Sequence, residues 1–551
     1  MLRRRKVFSL HVYAEKGTTD EFSLYVYSET TQHVVKNCAG RAMQFSVKLL
    51  FAFCVTANFF VRVRPHNYGI CKHGRAVRRR RFLCFDNRHK RCTQKKEFQQ
   101  TYAVCYLLHG AYIYCTVMKK EFSGRVHFVG IGGIGMSALA QHLVHCGYAV
   151  SGSDRQVNEQ TEKLQKIGMK VHCGHSEQNV KGACLVVRTS AVTPHNCEVA
   201  FAQKNNIPVF LREQLLGEIF DAFKQRIAVC GTHGKTTVTA MIHHVLERCG
   251  VSHTAFIGGE YNKSNYFFGE NIVVAEACEY NRSFLNLHPT ICLCLNVEYD
   301  HPDCYKNFAD VQKAFSALFS QSEKVILPSE LQKMCNKAVL FGKNGSVQAK
   351  NVHVGRGTTF SLYSDGVFAC KCRLKVCGRH NVHNALAVFA VAKLLQLPLL
   401  QVSQALASFC GVDRRWTWHP ECKFNVVCDY AHHPTEIAEA VQTALSMCKG
   451  RVFCVFQPHT YSRTKAFWQQ FVTCFDGAQD VIYLPIFAAR EKPQKGVSSF
   501  RLAQLARQTG LNAKYFSTFG KTAQHLSKTV KANDAILLIG AGDVNNLTKF
   551  L

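Results

Sequence analysis

Short apolar runs, each followed by glycines and then by a helical pattern, recur along the chain after about residue 120. The run at residues 125–129 meets a glycine-rich turn, and apolar residues then return at helical spacing from Met136. A second run at residues 227–230 meets Gly231, and another helical pattern starts after Lys235. Strand and helix patterns alternate again toward the C-terminus. This succession predicts an α/β protein with mostly parallel sheets covered by helices.

Composition changes this picture mainly at the N-terminus. The chain has 551 residues and a net charge of +31, and residues 1–117 hold 21 Lys or Arg against 6 Asp or Glu. This segment sustains neither helical nor strand periodicity. Its most apolar stretch, residues 49–61, is too short to cross a bilayer. We expect residues 1–117 to be a basic extension outside the folded enzyme, which would begin at Met118; a nucleic-acid-binding arm is the alternative.

Cysteine usage bears on the compartment. The 27 cysteines are scattered through apolar segments and lack the spacing of a paired zinc site. We interpret them as reduced, mostly buried thiols, which predicts a cytoplasmic protein without a membrane partner.

The turn G-T-H-G-K-T-T at residues 231–237 has the chemistry of a phosphate cradle. Gly231 and Gly234 lack side chains, so backbone N–H groups can close around phosphate oxygens at a helix N-terminus. Lys235 can then reach the terminal phosphates, and the Thr236 hydroxyl can bind Mg²⁺. Val229 stands where the usual P-loop has a glycine. From these residues alone, a plain glycine-rich turn between strand and helix stays open as an alternative.

A second glycine loop, G-I-G-G-I-G at residues 130–135, follows the first apolar run. Asp154 ends the next run, nineteen residues beyond Gly135, as in dinucleotide-binding folds. On its own this fingerprint predicts NAD and an oxidoreductase. Two phosphate cradles in separate α/β units instead favour two different phosphorylated ligands.

Polar residues gather at two strand ends behind the phosphate loop. Glu276 ends one apolar run. The apolar strand that starts at Thr290 is followed by a second polar set: Asn296, Glu298, Asp300, His301 and Asp303. Ligands collect at the carboxyl ends of parallel strands, so we predict a Mg²⁺-binding carboxylate at Glu276. Solvated loops are the alternative. Paired metal sites suit chemistry in which charge builds up on phosphoryl oxygens.

In this order the motifs resemble the Mur ligase family, three-domain ATP-dependent enzymes that join amino acids to a UDP-linked muramic acid. Besides the two glycine loops, the resemblance is carried by E-A-C-E-Y, N-V-E-Y-D-H-P-D, G-R-H-N-V-H-N-A-L-A, D-Y-A-H-H-P-T-E and F-Q-P-H-T-Y-S-R-T. It runs from about Lys120 to the C-terminus. It implies a Rossmann-like UDP-sugar domain at residues 118–223, a central P-loop-type ATPase α/β domain at 224–416 and a Rossmann-like amino-acid-binding domain at 417–551.

Within the family, the chain resembles the members that join L-alanine to the lactyl carboxylate of UDP-N-acetylmuramic acid in peptidoglycan precursor synthesis. The resemblance implies an acyl phosphate made with ATP, two Mg²⁺ ions, and Lys235 and His301 as catalytic residues. Nucleic acid is not expected as a partner. The alternative is the relative that attaches a preformed tripeptide to the same UDP-sugar.

The resemblance also implies which residues meet each ligand. ATP would lie against Gly231, Thr232, His233, Gly234, Lys235, Thr236, Thr237, His380, Asn381, Asn384 and Arg415. The UDP-sugar would lie against Gly130, Gly132, Gly133, Gly135, Met136, Ser137, Ser153, Asp154 and Ser190. L-Alanine would be surrounded by Tyr430, His432 and Arg463, and Mg²⁺ would be held by Thr236, Glu276 and His301.

Two positions depart from the family pattern. Thr460 stands where some relatives carry a further arginine, so a pair of guanidinium groups on the alanine carboxylate is not predicted. The form E-A-C-E-Y leaves the role of Glu279 open.

Overall fold

The computed structural model describes residues 124–355 and 357–551, together with the backbone of three strands nearer the N-terminus. The chain divides into two compact units, Met1–Thr93 and Gln94–Leu551. In the first unit the strands β1 (Leu10–Lys16), β2 (Phe22–Ser28) and β3 (Thr31–Cys38) form an antiparallel sheet in the order β1-β2-β3.

This sheet lies in the segment whose sequence sustains neither helical nor strand periodicity. Each strand is rich in β-branched and aromatic residues, as in F-S-L-Y-V-Y-S, but runs for only seven or eight residues. Such short runs do not produce sustained alternation. The prediction that residues 1–117 lie outside the folded enzyme stays a prediction, and the rest of that segment lies outside the described residues.

The first sheet of the second unit is parallel throughout, in the order β6-β5-β4-β7-β8. Its strands are β4 (Arg125–Val129), β5 (Ala149–Asp154), β6 (Lys170–Cys173), β7 (Ala183–Arg188) and β8 (Val209–Leu211). Its helices are α1 (Ile134–His145), α2 (Glu159–Lys166), α3 (Glu177–Val180), α4 (Cys197–Lys204) and α5 (Arg212–Phe220). Four of the five β4 residues are buried because helices cover both faces.

The central sheet has ten strands in the order β11-β10-β12-β9-β13-β14-β15-β16-β17-β18. The strands are β9 (Gln225–Cys230), β10 (His253–Tyr261), β11 (Ser264–Phe267), β12 (Ile272–Glu276), β13 (Ile291–Cys294), β14 (Lys324–Pro328), β15 (Val339–Phe341), β16 (Val347–Gly355), β17 (Gly357–Ser364) and β18 (Val367–Leu374). The run from β10 to β16 is parallel, and β11, β17 and β18 pair antiparallel at the two edges.

Four α-helices accompany this sheet: α6 (Lys235–Arg248), α7 (Phe308–Ser320), α8 (Arg379–Leu394) and α9 (Leu399–Ser408). Two 3₁₀ segments lie at Tyr280–Asn286 and Ser329–Met334. β9 and β13 are neighbours at the middle of the sheet, and every residue of β13 is buried. Their carboxyl ends therefore lie side by side, where ligands of open α/β sheets bind.

The third sheet has the order β19-β20-β24-β21-β22-β23, parallel except for β19. Its strands are β19 (Thr417–Trp418), β20 (Asn425–Asp429), β21 (Val452–Phe456), β22 (Asp480–Tyr483), β23 (Ala513–Tyr515) and β24 (Ala535–Ile539). Its helices are α10 (Pro434–Met447), α11 (Tyr461–Ala466), α12 (Gln470–Thr473), α13 (Ser499–Gln508) and α14 (Phe519–Thr529), followed by a 3₁₀ segment at Val544–Phe550.

The predicted α/β fold class with three sheets after residue 124 is confirmed, and the individual domain boundaries stay predictions. The β10–β11 hairpin of the central sheet reaches the first domain. Asn265 donates to the Ser137 hydroxyl at 2.9 Å, and Lys163 lies 2.6 Å from Glu260. Among the described residues, no helix has the length and apolar content needed to cross a membrane.

Candidate active site

The phosphate loop joins β9 to α6 at the middle of the central sheet. Gly231 has φ +136° and Gly234 has φ +81°, backbone conformations that residues with a Cβ rarely adopt. A Cβ at Gly234 would lie 3.1 Å from Oδ1 of Asn384 on α8. Both the conformation and the close approach of α8 therefore require glycine at this turn.

Asn296, just beyond β13, clamps this loop. Its Oδ1 accepts a hydrogen bond from the His233 amide at 2.8 Å, and its Nδ2 donates to the His233 carbonyl at 3.2 Å. The Glu298 amide donates to the Thr232 hydroxyl at 2.8 Å. Sequence reasoning placed Asn296 and Glu298 in a polar strand end and missed this support. The position of Asn296 could have indicated this role, because an amide side chain at the end of a strand beside the loop can bond to the loop backbone.

Lys235 is folded back onto its own loop. Its Nζ donates to the carbonyls of Gly231 at 2.6 Å and Thr232 at 3.0 Å, and lies 2.9 Å from Oε2 of Glu279. Burial alone would lower the pKa of Lys235, but the charges of Glu279 and Glu276 raise it above its ordinary value. Glu279 is 3% exposed, and the charge of Lys235 holds its pKa below the usual range despite burial. Glu279 is thus the counterion of the loop lysine.

Thr236 and Glu276 form an oxygen-rich corner beside the loop. The Thr236 hydroxyl donates to Oε2 of Glu276 at 2.9 Å, and the Gly258 amide donates to the same oxygen at 3.0 Å. A Cβ at Gly258 would lie 2.0 Å from that oxygen, so no larger residue fits there while Glu276 holds this position. Hydroxyl and carboxylate oxygens are ligands that suit Mg²⁺. Sequence reasoning missed Gly258.

His301 lies on the other side of Glu279. Its Nε2 is 3.4 Å from Oε1 of Glu279, and its backbone has a left-handed φ of +54°. The structure therefore brings both residues predicted to be catalytic, Lys235 and His301, around one buried carboxylate.

The residues predicted near adenine lie at the start of α8. Nδ2 of Asn381 donates to the Cys377 carbonyl at 2.6 Å, and Nδ2 of Asn384 donates to Oδ1 of Asn381 at 3.2 Å. Nε2 of His380 is 3.0 Å from Nδ2 of Asn381. These contacts order the start of α8 beside the phosphate loop.

Arg463 of the third domain pairs with Asp300 of the central domain. Nε lies 3.0 Å from Oδ1 and Nη2 lies 3.1 Å from Oδ2. Burial alone would raise the pKa of Asp300, but the Arg463 guanidinium holds it well below its usual range. Arg463 was predicted to meet L-alanine, and in this structure Nη1 is the terminal nitrogen outside the pair, 3.1 Å from Nδ1 of His459.

Tyr430 and His432 follow β20. Nδ1 of His432 is 3.0 Å from the Tyr430 carbonyl, and desolvation lowers the pKa of His432 to about 3. The Arg415 guanidinium carbon lies 4.8 Å from the centre of the Tyr430 ring, and Nη1 of Arg415 is 3.8 Å from Oε1 of Glu436. His432 is therefore neutral, beside charged neighbours.

His233 belongs to the phosphate loop, but its side chain faces the third domain. Nδ1 lies 3.3 Å from Oε1 of Glu436 on α10, and Nε2 lies 3.5 Å from Oε2 of Glu298. The ring centre is 4.6 Å from that of His433. Burial alone would lower the pKa of His233, but Glu436 and Glu298 raise it to about 9. The loop thus contacts the third domain directly.

Amides of the first glycine loop donate hydrogen bonds to residues at the carboxyl end of β5. The Gly130 amide donates to the Ser153 carbonyl at 2.8 Å, and the Gly132 amide donates to Oδ2 of Asp154 at 2.9 Å. A Cβ at Gly132 would lie 2.6 Å from Nδ2 of Asn158. The structure therefore brings Asp154 against the loop, as the fingerprint predicted.

The remaining residues predicted for the UDP-sugar are divided between surface and core. Gly133 and Ser190 are exposed, whereas Met136 and Ser137 are buried residues of α1. Gly135 packs toward Arg212, whose Cδ would lie 3.3 Å from an added Cβ. Ser153 is fully buried, and its hydroxyl bonds to Glu198 and lies 3.0 Å from Nδ1 of His175. The roles of these residues toward a ligand stay predictions.

Three family models match this part of the chain in succession. "Mur ligase family, catalytic domain" matches residues 125–224, "Mur ligase middle domain" matches 229–392, and "Mur ligase, glutamate ligase domain" matches 414–542. The chain belongs to the Mur ligase family. The family membership predicted from the motifs is confirmed.

Similar Mur ligases are known by sequence and by structure. A UDP-N-acetylmuramate–L-alanine ligase of Clostridium novyi is 38% identical over 442 residues, covering 77% of this chain and 96% of that protein. The protein of that name from Clostridium botulinum strain Loch Maree is 37% identical over 443 residues, with the same coverage. The crystal structure of the UDP-N-acetylmuramate-alanine ligase MurC of Thermotoga maritima superposes with a TM-score of 0.67 and 30% identity, covering 77% of this chain and 97% of that one.

Proposed function

We propose that this Mur ligase joins L-alanine to the lactyl carboxylate of UDP-N-acetylmuramic acid, with ATP converted to ADP and phosphate. One observation carries the proposal. The phosphate loop, with Lys235 and the Thr236–Glu276 oxygen corner, contacts the third domain through His233 and Glu436, and the buried Arg463–Asp300 pair joins the same two domains. Similar proteins named for this reaction, at 34–38% identity, support the choice of substrates. The proposed reaction is cytoplasmic and supplies a precursor of peptidoglycan.

ATP binds at the phosphate loop in this proposal. The first N–H groups of α6 have no partner within the helix and point toward the loop, where they hold phosphate oxygens. Lys235 exchanges its contacts with the Gly231 and Thr232 carbonyls for the phosphates. The start of α8, with His380, Asn381 and Asn384, receives the adenine, and Arg415 approaches the phosphates.

Two Mg²⁺ ions fit the donor set at this corner. Thr236 and Glu276 would hold one, since Glu276 Oε2 already gathers a hydroxyl and an amide within 3.0 Å. His301 would help hold the second, beside Glu279. When bound, Mg²⁺ neutralises charge on phosphoryl oxygens.

The reaction proceeds in two displacements. A lactyl carboxylate oxygen attacks the γ-phosphorus, the bond to the bridging oxygen breaks, and ADP leaves. The L-alanine nitrogen, as the free amine, then attacks the acyl carbon of the acyl phosphate, and phosphate leaves and the nitrogen releases a proton as the amide forms. Lys235 stabilises the charge that develops on the transferred group. Closure of the three domains excludes water that would hydrolyse the acyl phosphate.

The other two substrates come from the flanking domains. The UDP-sugar lies against the first glycine loop and Asp154, with Ser190 on the exposed side. L-Alanine lies near Tyr430, His432 and Arg463. Because Nε and Nη2 of Arg463 pair with Asp300, Nη1 is the nitrogen that the alanine carboxylate would meet.

The test supplies ATP, Mg²⁺ and UDP-N-acetylmuramic acid with either L-alanine or a muropeptide tripeptide, and follows ADP release and the UDP-linked product. L-Alanine is expected to support turnover and the tripeptide is not. Lys235→Ala is expected to abolish product formation. Lys393→Ala is the matched control, because Lys393 pairs with Asp365 at the surface. Wild-type product formation by Lys235→Ala, or turnover with the tripeptide alone, contradicts the proposal.

A further inference from the structure

Three metal-binding side chains converge where the central and third domains meet, outside the residues assigned to ATP-bound Mg²⁺. His233, Glu298 and His433 each offer one ligand atom, and these atoms lie within 4.8 Å of one another. Oε2 of Glu298 is 3.5 Å from Nε2 of His233 and 3.7 Å from Nδ1 of His433. Bonds of about 2.0–2.2 Å from a tetrahedral ion separate neighbouring ligand atoms by about 3.3–3.6 Å. The observed spacing therefore suits one small cation.

The other nitrogen of each imidazole is already engaged, so the converging nitrogens are the ones that an ion would meet. At His233, whose pKa Glu436 and Glu298 raise to about 9, the ion would displace the proton on Nε2. Nδ1 of His233 faces Oε1 of Glu436 at 3.3 Å, while its buried Nε2 has no hydrogen-bond partner. Nε2 of His433 lies 3.3 Å from the Tyr299 carbonyl, to which it donates. Metal-binding histidines have this arrangement, with the second nitrogen bonded to a carboxylate or a carbonyl.

Thr435 contacts two of the three side chains. Nδ1 of His433 accepts a long hydrogen bond of 3.3 Å from the Thr435 amide, which a bound ion would have to displace. The Thr435 hydroxyl donates to Oε2 of Glu298 at 2.7 Å and holds that carboxylate in position. Glu298 is 35% exposed while both histidine rings are nearly buried, so an ion can enter from its side.

We propose that His233, Glu298 and His433 form a site for one divalent transition-metal ion of the zinc class, which bridges the phosphate loop and the third domain. Two imidazoles and a carboxylate suit Zn²⁺ or Co²⁺ rather than Mg²⁺, and a water molecule would complete the coordination. Since His233 and Glu298 come from the central domain and His433 from the third, the ion ties the two domains together. This inference does not depend on the proposed substrates.

The experiment titrates the full-length protein with Co²⁺ in a millimolar excess of Mg²⁺, which saturates the Mg²⁺ corner. One equivalent of Co²⁺ is expected to give the visible absorption of low-coordinate Co²⁺, without a thiolate charge-transfer band. Zn²⁺ is expected to displace the bound Co²⁺. Glu298→Gln and His433→Gln are each expected to weaken binding at least tenfold. His419→Gln is the matched control, because Nδ1 of His419 lies 2.7 Å from the exposed Glu421.

X-ray absorption of the Zn²⁺-loaded unaltered protein provides a readout that needs no variant. Two imidazoles in a shell of nitrogen and oxygen are expected. Circular dichroism of each variant establishes that it is folded. A sulfur shell, equal Co²⁺ affinity in both site variants and the control, or no binding by the unaltered protein at micromolar Co²⁺ would each overturn the proposal.

Discussion

Arg463 and Asp300 join the third domain to the central domain through two parallel charged hydrogen bonds, at 3.0 and 3.1 Å. Both residues are about 5% exposed. Two charges out of water are costly, and close bidentate geometry offsets that cost. Asp300 directly precedes His301, which lies beside Glu279 and the loop lysine. The third domain therefore contacts the residue next to His301 of the predicted catalytic centre.

Asp300→Asn is expected to destabilise the protein, because it leaves the Arg463 guanidinium buried without a counterion. Breaking one partner of a buried pair costs about 3–5 kcal/mol. The free energy of unfolding in urea measures this change. Asp365→Asn is the control, since Asp365 pairs with Lys393 at the exposed surface and exposed pairs contribute at most about 1 kcal/mol. Equal losses in the two variants would show that the interdomain pair has no special role.

Gly258→Ala is expected to disrupt the use of Mg²⁺ and ATP. The added Cβ would lie 2.0 Å from Oε2 of Glu276, so the carboxylate must leave its position beside Thr236. The Mg²⁺ concentration required for half-maximal turnover should rise at least tenfold. Gly520→Ala, in α14, is the control, because nothing lies within 4 Å of its added Cβ. An unchanged Mg²⁺ dependence in the Gly258→Ala protein would show that Glu276 does not bind the metal.

The sequence predicted those parts of the site that depend on local pattern. Both glycine loops, the carboxylate at the end of β12 and the polar residues after β13 each combine a strand end with a chemical residue type within a few positions. Because parallel strands have their carboxyl ends at the same edge of a sheet, these residues are expected to lie close together. That is why Lys235, Thr236, Glu276 and His301 were identified, and why the structure places them close together.

Contacts between distant elements could not be predicted in this way. Arg463 and Asp300 are 163 positions apart, and their pairing depends on how two domains dock. Lys235 lies 2.9 Å from Glu279, and the E-A-C-E-Y motif did not specify this partner. The antiparallel extension of the central sheet by β16–β18 likewise follows from edge pairing rather than from any local signal.

Glu198 is expected to make the first domain sensitive to acid. Burial alone would raise its pKa, but the neighbouring His127 and hydrogen bonds from Ser153 and Asn179 lower it to about 2. A folded pKa below the unfolded value of about 4.3 contributes stability that is complete above the unfolded value. That contribution, about 3 kcal/mol, is lost as the pH falls toward 2.

The difference in unfolding free energy between wild type and Glu198→Gln isolates this contribution. It should be constant above about pH 5 and shrink steadily below it. Urea unfolding followed by circular dichroism from pH 3 to pH 7 measures it. Glu218→Gln is the control, because Glu218 lies at the exposed surface of α5 in the same domain. A pH-independent difference for Glu198→Gln would contradict the assignment.

Asn296→Ala is expected to weaken ATP binding without affecting the UDP-sugar. The change removes the acceptor and the donor that fix the His233 peptide group, so two backbone groups of the phosphate loop lose their partners. An unpaired buried polar group costs about 1–3 kcal/mol, and a loss of about 1.4 kcal/mol corresponds to a tenfold higher Kd. Calorimetric titration with ATP and, separately, with UDP-N-acetylmuramic acid measures both affinities. Asn425→Ala is the matched control, because Nδ2 of Asn425 also bonds two backbone groups, the Ala532 and Asp534 carbonyls, but far along the chain from the loop. Unchanged ATP binding by both variants would contradict this prediction. The N–H groups that hold phosphate would then be ordered by α6 without the Asn296 hydrogen bonds.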